Sequence, residues 1–262
     1  MVRLSIITIN LNNSLGLQKT MSSVFSQSFF NFEYIVIDGG SEDDSTTLIK
    51  SKDDKIDFWI SEKDTGVYNA MNKGIAKASG EYLLFLNSGD SLINDDVLSD
   101  VVKELDGTGI VYGNLFFIES DHNSYTAVYP NTLSFQHFVE GSLPHPGSFI
   151  KRTLFNDIGY YDEGLKIISD WKFFLNAICS YNVSYKHIDK TISAFCLNGI
   201  SSLTENKNLI ENEKQTVFLK EYPAFIQNSY ELTQLRTFKN NKLIAKFTKI
   251  AKSIGLLKKI KV

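Results

Sequence analysis

Three aspartates stand where carboxylates can do chemistry. Asp38 closes the apolar run Tyr34-Ile35-Val36-Ile37 and precedes Gly39, Gly40 and Ser41. Asp90 follows Asn87-Ser88-Gly89 after the run Tyr82 to Leu86, and Asp170 sits between Ser169 and the helical pattern Trp171 to Cys179. A carboxylate just past a buried strand can accept hydrogen bonds from a base or ribose, and glycines beside it let a ligand approach the backbone. Asp-Gly-Gly-Ser is equally a good turn. Asp90 suits a divalent ion bridging two phosphates, since Mg²⁺ takes few protein ligands and completes its shell with substrate oxygens. A plain turn accounts for it as well. Asp170 reads as a general base at the start of a helix or as that helix's N-cap. Lys73 can meet a phosphate or lie solvated. Of the four histidines only His145, held between Pro144 and Pro146, invites attention, and none has metal-ligand spacing with another.

These residues need a frame. Leu4 to Leu11 reads as a first strand, Tyr34 to Ile37 as a second, Ile56 to Ile60 as a third and Tyr82 to Leu86 as a fourth. Helices are expected between them: one capped by Asn13-Ser14 and running to about Gln27, a short one from Asp43 to about Lys52, and one from Val67 to Ala78. In the first, Leu15, Leu17, Met21, Val24 and Phe25 are read as facing inward. Such alternation predicts a parallel α/β sheet. Past Asp90 the rhythm changes to a helix over 95–105, strands over 109–118 and 125–129 of a hairpin or a mixed sheet edge, and a weak helix over 133–139. A rigid turn at 143–147, a short strand over 148–150, a small helix over 153–158 and a strand over 185–197 complete the body. Helix follows from about Asn206 to Glu221, with a break at Pro223.

The chain has 262 residues, 43 % of them hydrophobic and 13 % aromatic, enough for a substantial core. Its net charge of -3 is unevenly spread, with nine Lys or Arg and no acid beyond Glu231, which leaves about -12 for the rest. In that tail Ile244, Phe247, Ile250, Ala251 and Ile254 fall at helical spacing beside Lys242, Lys246, Lys249 and Lys252. A basic amphipathic helix over 236–262 suits an anionic membrane surface, or packs on its own domain or a second subunit. The acidic body argues against nucleic acid. Cys179 and Cys196 read as two buried thiols in a reducing compartment. Leu4 to Ile9 is too short for a signal peptide, and no stretch approaches a membrane span. The expected location is cytoplasmic, with any membrane contact peripheral on the inner face of the plasma membrane.

In order, SIITINLNN, IVIDGGSEDDS, SEKDTGVYNAMNKGIAKASGEYLLFLNSGD and IISDWKFF resemble the family 2 glycosyltransferases, over about residues 3 to 201. The central block is similar to members that assemble capsule and other bacterial surface polysaccharides. That resemblance implies a GT-A fold, a Rossmann-like mixed sheet flanked by helices, over 1–204, with a helical basic tail over 205–262. It implies an inverting transfer of a hexose or N-acetylhexosamine from a nucleotide sugar, UDP-linked by expectation, to a hydroxyl of a glycan or lipid-linked saccharide.

Residue by residue, the resemblance places Thr8 and Asn10 in the nucleotide pocket and Asp38 at the uracil or ribose. It places Asp64, Asn72 and Lys73 beside the nucleotide and its diphosphate, Ser88 next to them, Asp90 on a divalent metal (Mn²⁺ or Mg²⁺), and Asp170 as catalytic base. Three departures stand out. Gly39 follows Asp38 where relatives often carry a second acid, Ser88-Gly89-Asp90 holds one acid where two are common, and Asn69 and Ser169 occupy positions where many relatives have acids. The rival reading is a non-catalytic nucleotide-sugar or glycan-binding module on the same scaffold. A nicotinamide enzyme is disfavoured, because no G-x-G-x-x-G follows the first strand.

Overall fold

The computed structural model describes residues 3–120, 123–196 and 204–225. Strand β1 (Leu4–Asn10) is buried along its whole length, as a central strand of a covered sheet must be. Helix α1 (Ser14–Phe25) leads to β2 (Phe32–Asp38), which lies parallel to β1, and α2 (Ser45–Lys50) leads to β3 (Phe58–Ser61), parallel to β2. Helix α3 (Val67–Lys77) then carries the chain back over the sheet to β4 (Tyr82–Phe85), parallel to β1 on its other side. The order 3-2-1-4 reverses direction between β1 and β4, the topological position at which open α/β sheets form a ligand crevice.

The remaining strands turn the parallel core into a mixed sheet. After β5 (Ser91–Leu92), α4 (Val97–Val101), β6 (Ile110–Ser120), β7 (Asn123–Ala127) and α5 (Phe135–Glu140), strand β8 (Ser148–Lys151) joins β4 antiparallel. Helices α6 (Leu154–Asp157) and α7 (Ser169–Cys179) precede β9 (Tyr185–Cys196), and α8 is Lys207–Glu221. Strand β6 lies between β8 and β9, β5 forms the edge beside β9, and β7 pairs with β6. The chain divides into two compact units after Glu211, and the whole sheet belongs to the first.

Side-chain alternation assigns the two faces. Leu17, Met21 and Val24 of α1 join Leu4, Ile6, Tyr34 and Val36 in one core cluster. Ile7 and Ile37 point the other way, and α3 meets them at Gly74. Asn13 caps α1 as expected, its side chain accepting from the Gly16 amide at 3.1 Å. Leu15 departs from expectation and is 81 % exposed. It lies two residues, about 200° of helix, from buried Leu17, so the two cannot share a face.

The helix expected over 95–105 is confined to Val97–Val101, α2 is trimmed to Ser45–Lys50, β3 starts two residues late because Asp53–Lys55 forms a 3₁₀ turn, and β5 is an additional element. Cys179 is half-buried rather than buried, a free thiol whose pKa is pushed up by burial.

The link from α3 to β4 presses on the backbone of β1. A Cβ at Gly80 would lie 2.6 Å from the Ser5 nitrogen and 2.8 Å from the Leu4 carbonyl carbon, atoms that cannot move without shifting the central strand. Gly80 also donates its N–H to Ser5 Oγ and to Glu33 Oε1, each at 2.9 Å. Gly80→Ala is expected to cost about 1–3 kcal/mol through overpacking. At about 2–4 °C per kcal/mol for a chain of this size, calorimetry would show the loss as a lower Tm.

Candidate active site

The carboxyl ends of the parallel strands bring the predicted polar residues to one edge. Asn10, Asp38 and Ser61 are register partners across β1, β2 and β3. The Asp38 carboxylate accepts from Asn10 Nδ2 (2.8 Å), the Ser41 amide (2.9 Å), Ser41 Oγ (2.6 Å) and Ser61 Oγ (2.6 Å). Burial opposes its ionisation, but the donors from Ser41, Ser61 and Asn10 prevail and hold its pKa below the usual carboxylate value. Four donors fill the lone-pair sites of a carboxylate. Asp38 is therefore the knot that orders this corner, and a nucleoside reaching it must displace one of those donors.

Thr8 lies deeper than the sequence reading placed it. It is wholly buried and its hydroxyl is 3.0 Å from the Tyr34 hydroxyl, so it belongs to the core beneath the corner rather than to a pocket wall. Asn10 stands at the corner itself, 4 % exposed, with its Oδ1 buried and without a hydrogen-bond partner.

Asp64 and Lys73 are brought together in an ion pair, and Glu62 contacts the same ammonium at 2.8 Å. Burial opposes the Lys73 charge, but Asp64 and Glu62 outweigh it and raise the pKa. Asp64 Oδ2 would be 3.0 Å from a Cβ at residue 39, so a side chain there would crowd the pair. Asn72 is spent on architecture. Its Nδ2 donates to the Tyr161 carbonyl (2.9 Å) and Glu163 Oε1 (2.8 Å), while its Oδ1 accepts the Tyr161 amide (3.0 Å). Asn69 Nδ2 adds a bond to Glu163 Oε2 at 3.0 Å. Together they clamp the segment before α7 onto α3. Ser88 is tied to Asn13, whose Nδ2 donates to its carbonyl (3.1 Å) and hydroxyl (3.3 Å), fastening the turn before Asp90 to the start of α1.

Asp90 and Asp170, 80 residues apart in sequence, line one cavity of about 90 Å³ with Tyr68, Asn87, His145 and Phe195. Asp90 is 6 % exposed, and burial pushes its pKa up to about 7 against the smaller opposing effects of the Asn87 amide and Lys19. Asp170 lies in the first turn of α7, whose N-cap position is Ile168, so the capping reading does not hold. It receives a 2.7 Å hydrogen bond from the Tyr68 hydroxyl. His145 is stacked on Phe85 with its Nε2 3.2 Å from the Tyr161 hydroxyl, and burial lowers its pKa below the usual imidazole value. A larger cavity, about 260 Å³ between α4 and β9, shares no residue with this one and is flanked by the Asp100–Lys190 ion pair.

Residues 5–169 match the family described as Glycosyl transferase family 2. The chain belongs to glycosyl transferase family 2. It is 38 % identical over 181 residues to an uncharacterized glycosyltransferase of Mycobacterium tuberculosis, covering 66 % of this chain and 68 % of the relative. It is 27 % identical over 214 residues to a PGL/p-HBAD biosynthesis glycosyltransferase of the same species, covering 79 % and 82 %. Among solved structures, S. aureus TarS 1–349 in complex with UDP-GlcNAc superposes with a TM-score of 0.62 at 19 % identity, over 74 % of this chain and 58 % of that one. The mannosyltransferase PcManGT of Pyrobaculum calidifontis, in complex with GDP-Man and Mn²⁺, does so with a TM-score of 0.57 at 12 % identity, over 98 % and 81 %. The mixed sheet flanked by helices is a GT-A fold.

A family 2 chain raises the question of a divalent metal. Among the described residues no group of three or more His, Cys, Asp or Glu is arranged to hold one. The cavity nevertheless offers hard oxygen donors, the Asp90 carboxylate and Asn87 Oδ1, the latter buried without a hydrogen-bond partner. Two such oxygens completed by substrate phosphates fit Mg²⁺ or Mn²⁺. The sequence reading passed over Asn87, although it stands three residues before Asp90. It also passed over Tyr68, Tyr161 and Glu163, whose roles are visible only once α3 and the segment before α7 are seen in contact.

The elevated pKa of Asp90 makes a signed prediction. An acid whose folded pKa exceeds its unfolded value of 3.8 costs nothing below that value, and its penalty grows with pH until about 7. Asp90→Asn removes the penalty. Urea unfolding should find the variant equal to wild type near pH 4, and more stable near pH 8 by up to about 4 kcal/mol.

Proposed function

We propose that the chain is an inverting glycosyltransferase that moves a hexose or N-acetylhexosamine from a nucleotide sugar to a hydroxyl of a glycan or lipid-linked saccharide, in surface-polysaccharide synthesis. One observation carries this reading: Asp170 and Asp90 meet in one cavity at the carboxyl ends of the parallel strands, a carboxylate from α7 opposite a carboxylate from the β4–β5 turn. That pairing suits a single displacement, in which one side must take a proton and the other must face developing negative charge. The likeness to a TarS complex with UDP-GlcNAc supports a UDP-linked donor.

In this reading Asp170 takes the proton of the acceptor hydroxyl as its oxygen attacks the anomeric carbon from the face opposite the nucleotide. The bond to the diphosphate breaks in the same step, so the configuration inverts and no covalent intermediate forms. Asn87 and Asp90 would hold a divalent cation, which when bound offsets the charge on the departing diphosphate. Lys73, paired with Asp64 and Glu62, stands on the nucleotide side with the Asp38 corner beyond it. In this reading the cavity of about 90 Å³ holds the reacting groups and the nucleoside lies on the surface outside it.

Among the described residues no helix is long and apolar enough to cross a membrane. The basic segment 236–262, expected to bind an anionic membrane surface or a protein partner, lies outside the described residues.

Heat stability against UDP-, GDP-, dTDP- and CMP-sugars, each with and without Mn²⁺, tests the donor site. A ligand at about 100 times its dissociation constant should stabilise by about 2.7 kcal/mol. The expected result is a shift with one nucleotide class that grows with Mn²⁺. Asp170→Asn should keep that shift and lose about 10²- to 10⁴-fold in turnover, measured by release of the nucleoside diphosphate. Nucleotide binding with no turnover by the wild type, across a panel of acceptors, would favour the binding-module reading instead.

A further inference from the structure

The Tyr68 hydroxyl has one proton and two strong acceptors. It lies 2.6 Å from the Ile167 carbonyl oxygen and 2.7 Å from Asp170 Oδ1. Its oxygen also faces the backbone N–H groups of Ser169 and Asp170 at the start of α7. Burial first, and then the neighbouring Asp170 charge, hold the phenol well above its ordinary pKa. It therefore keeps its proton and can only choose where to point it.

We propose that Tyr68 is a positioning residue whose single hydroxyl proton turns between Asp170 and the Ile167 carbonyl according to the charge on Asp170. The inference rests on the reading of Asp170 as the base. When Asp170 is ionised, its carboxylate is the stronger acceptor, because a hydrogen bond to a charged oxygen is roughly twice as strong as a neutral one. The phenolic proton then holds Oδ1, leaving Oδ2 to receive the acceptor's proton. Once that proton has arrived the carboxyl is neutral, the backbone carbonyl becomes the better acceptor, and the Tyr68 proton turns to Ile167. The acceptor O–H bond breaks and a carboxyl O–H bond forms, while the Tyr68 O–H bond only rotates. The Tyr68 proton has an acceptor in either state without the movement of a heavy atom.

The surroundings leave this role to Tyr68. The titratable groups facing Asp170 are Tyr68 from α3, His145 from the turn before β8, Tyr161 from the segment before α7, and Asp90 across the cavity. Burial favours the neutral ring of His145 and keeps the Tyr161 phenol protonated, so neither offers a compensating charge. His145 and Tyr161 also face each other, whereas Tyr68 is the hydroxyl bonded directly to the carboxylate.

The test has an arm that needs no activity. In protein labelled with ¹³C at the tyrosine Cζ, the Tyr68 resonance should shift with one inflection as the pH is varied, and that inflection should vanish in Asp170→Asn. A wild-type resonance with no inflection that Asp170→Asn removes would overturn the proposal, whatever the reaction proves to be. In the kinetic arm, Tyr68→Phe should lower kcat by about 10- to 100-fold, the loss expected from one hydrogen bond to a charged group. It should leave KM for the donor within about two-fold, because the interaction serves the proton-taking step. The acidic limb of its kcat/KM profile should move to higher pH. A Tyr68→Phe protein that is merely less stable, with unchanged limb and kcat, would reject the assignment. If wild type turns over no nucleotide sugar, the proposed function fails, and the resonance still decides the rotor.

Discussion

The site depends on one buried carboxylate at the edge of the parallel strands. Strand register sets Asn10, Asp38 and Ser61 side by side, and the Asp38 carboxylate draws a donor from each neighbouring strand and two from the turn that follows it. A one-residue slip between β1 and β2 would turn those side chains to the opposite face and leave a charged group buried without partners. That penalty makes the alignment of the strand ends a consequence of electrostatics as well as apolar packing. The glycines after Asp38 then lie against Asn10, Asp64 and Lys63, which carries the ordered corner towards the ion pair on α3.

Helix α3 joins this corner to the Asp170 side of the cavity. One of its faces packs on the sheet through Ala70, Met71, Gly74 and Ile75, all buried. Its other polar positions reach in two directions, Lys73 to Asp64 and Glu62, and Tyr68, Asn69 and Asn72 to the segment 161–170. Asn69 uses its side-chain amide to bind Glu163 of the facing segment, which adds to the same clamp. The aromatic cluster of Phe85, Phe155, Tyr161 and Phe173 fills the space beneath that contact. Its rings leave the Tyr161 and His145 polar atoms to satisfy one another.

The same dry surroundings that anchor the site set its electrostatics. Asp38 is ionised because donors surround it, whereas Asp90, nearly as buried, receives one backbone donor and holds its proton to about pH 7. A carboxylate so poorly compensated is suited to a cation arriving with its substrate, since the ion supplies the charge that the protein withholds. Asn87 Oδ1, unpaired in the same wall, is consistent with that arrangement.

Much of this was legible in the sequence. Buried runs such as Tyr34–Ile37 and Tyr82–Leu86 must be covered strands, and an acid at the end of each must lie on the ligand edge, because period and burial are local properties of the chain. The ordered motifs from Thr8 to Asp170 carried the family. What the sequence could not decide were the contacts made across long separations. Thr8 and Asn10 are two residues apart and alternate like neighbours on one face, yet only packing buries Thr8 against Tyr34 and leaves Asn10 at the corner. Asn72 has the chemistry of a phosphate ligand until folding brings Tyr161, 89 residues away, against it. Tyr68 carries no signal of its own in the sequence, and only the tertiary structure sets its single proton between Ile167 and Asp170. Hydrogen-bond partners are fixed by where helices cross and loops close, and that information belongs to the whole fold rather than to any stretch of it.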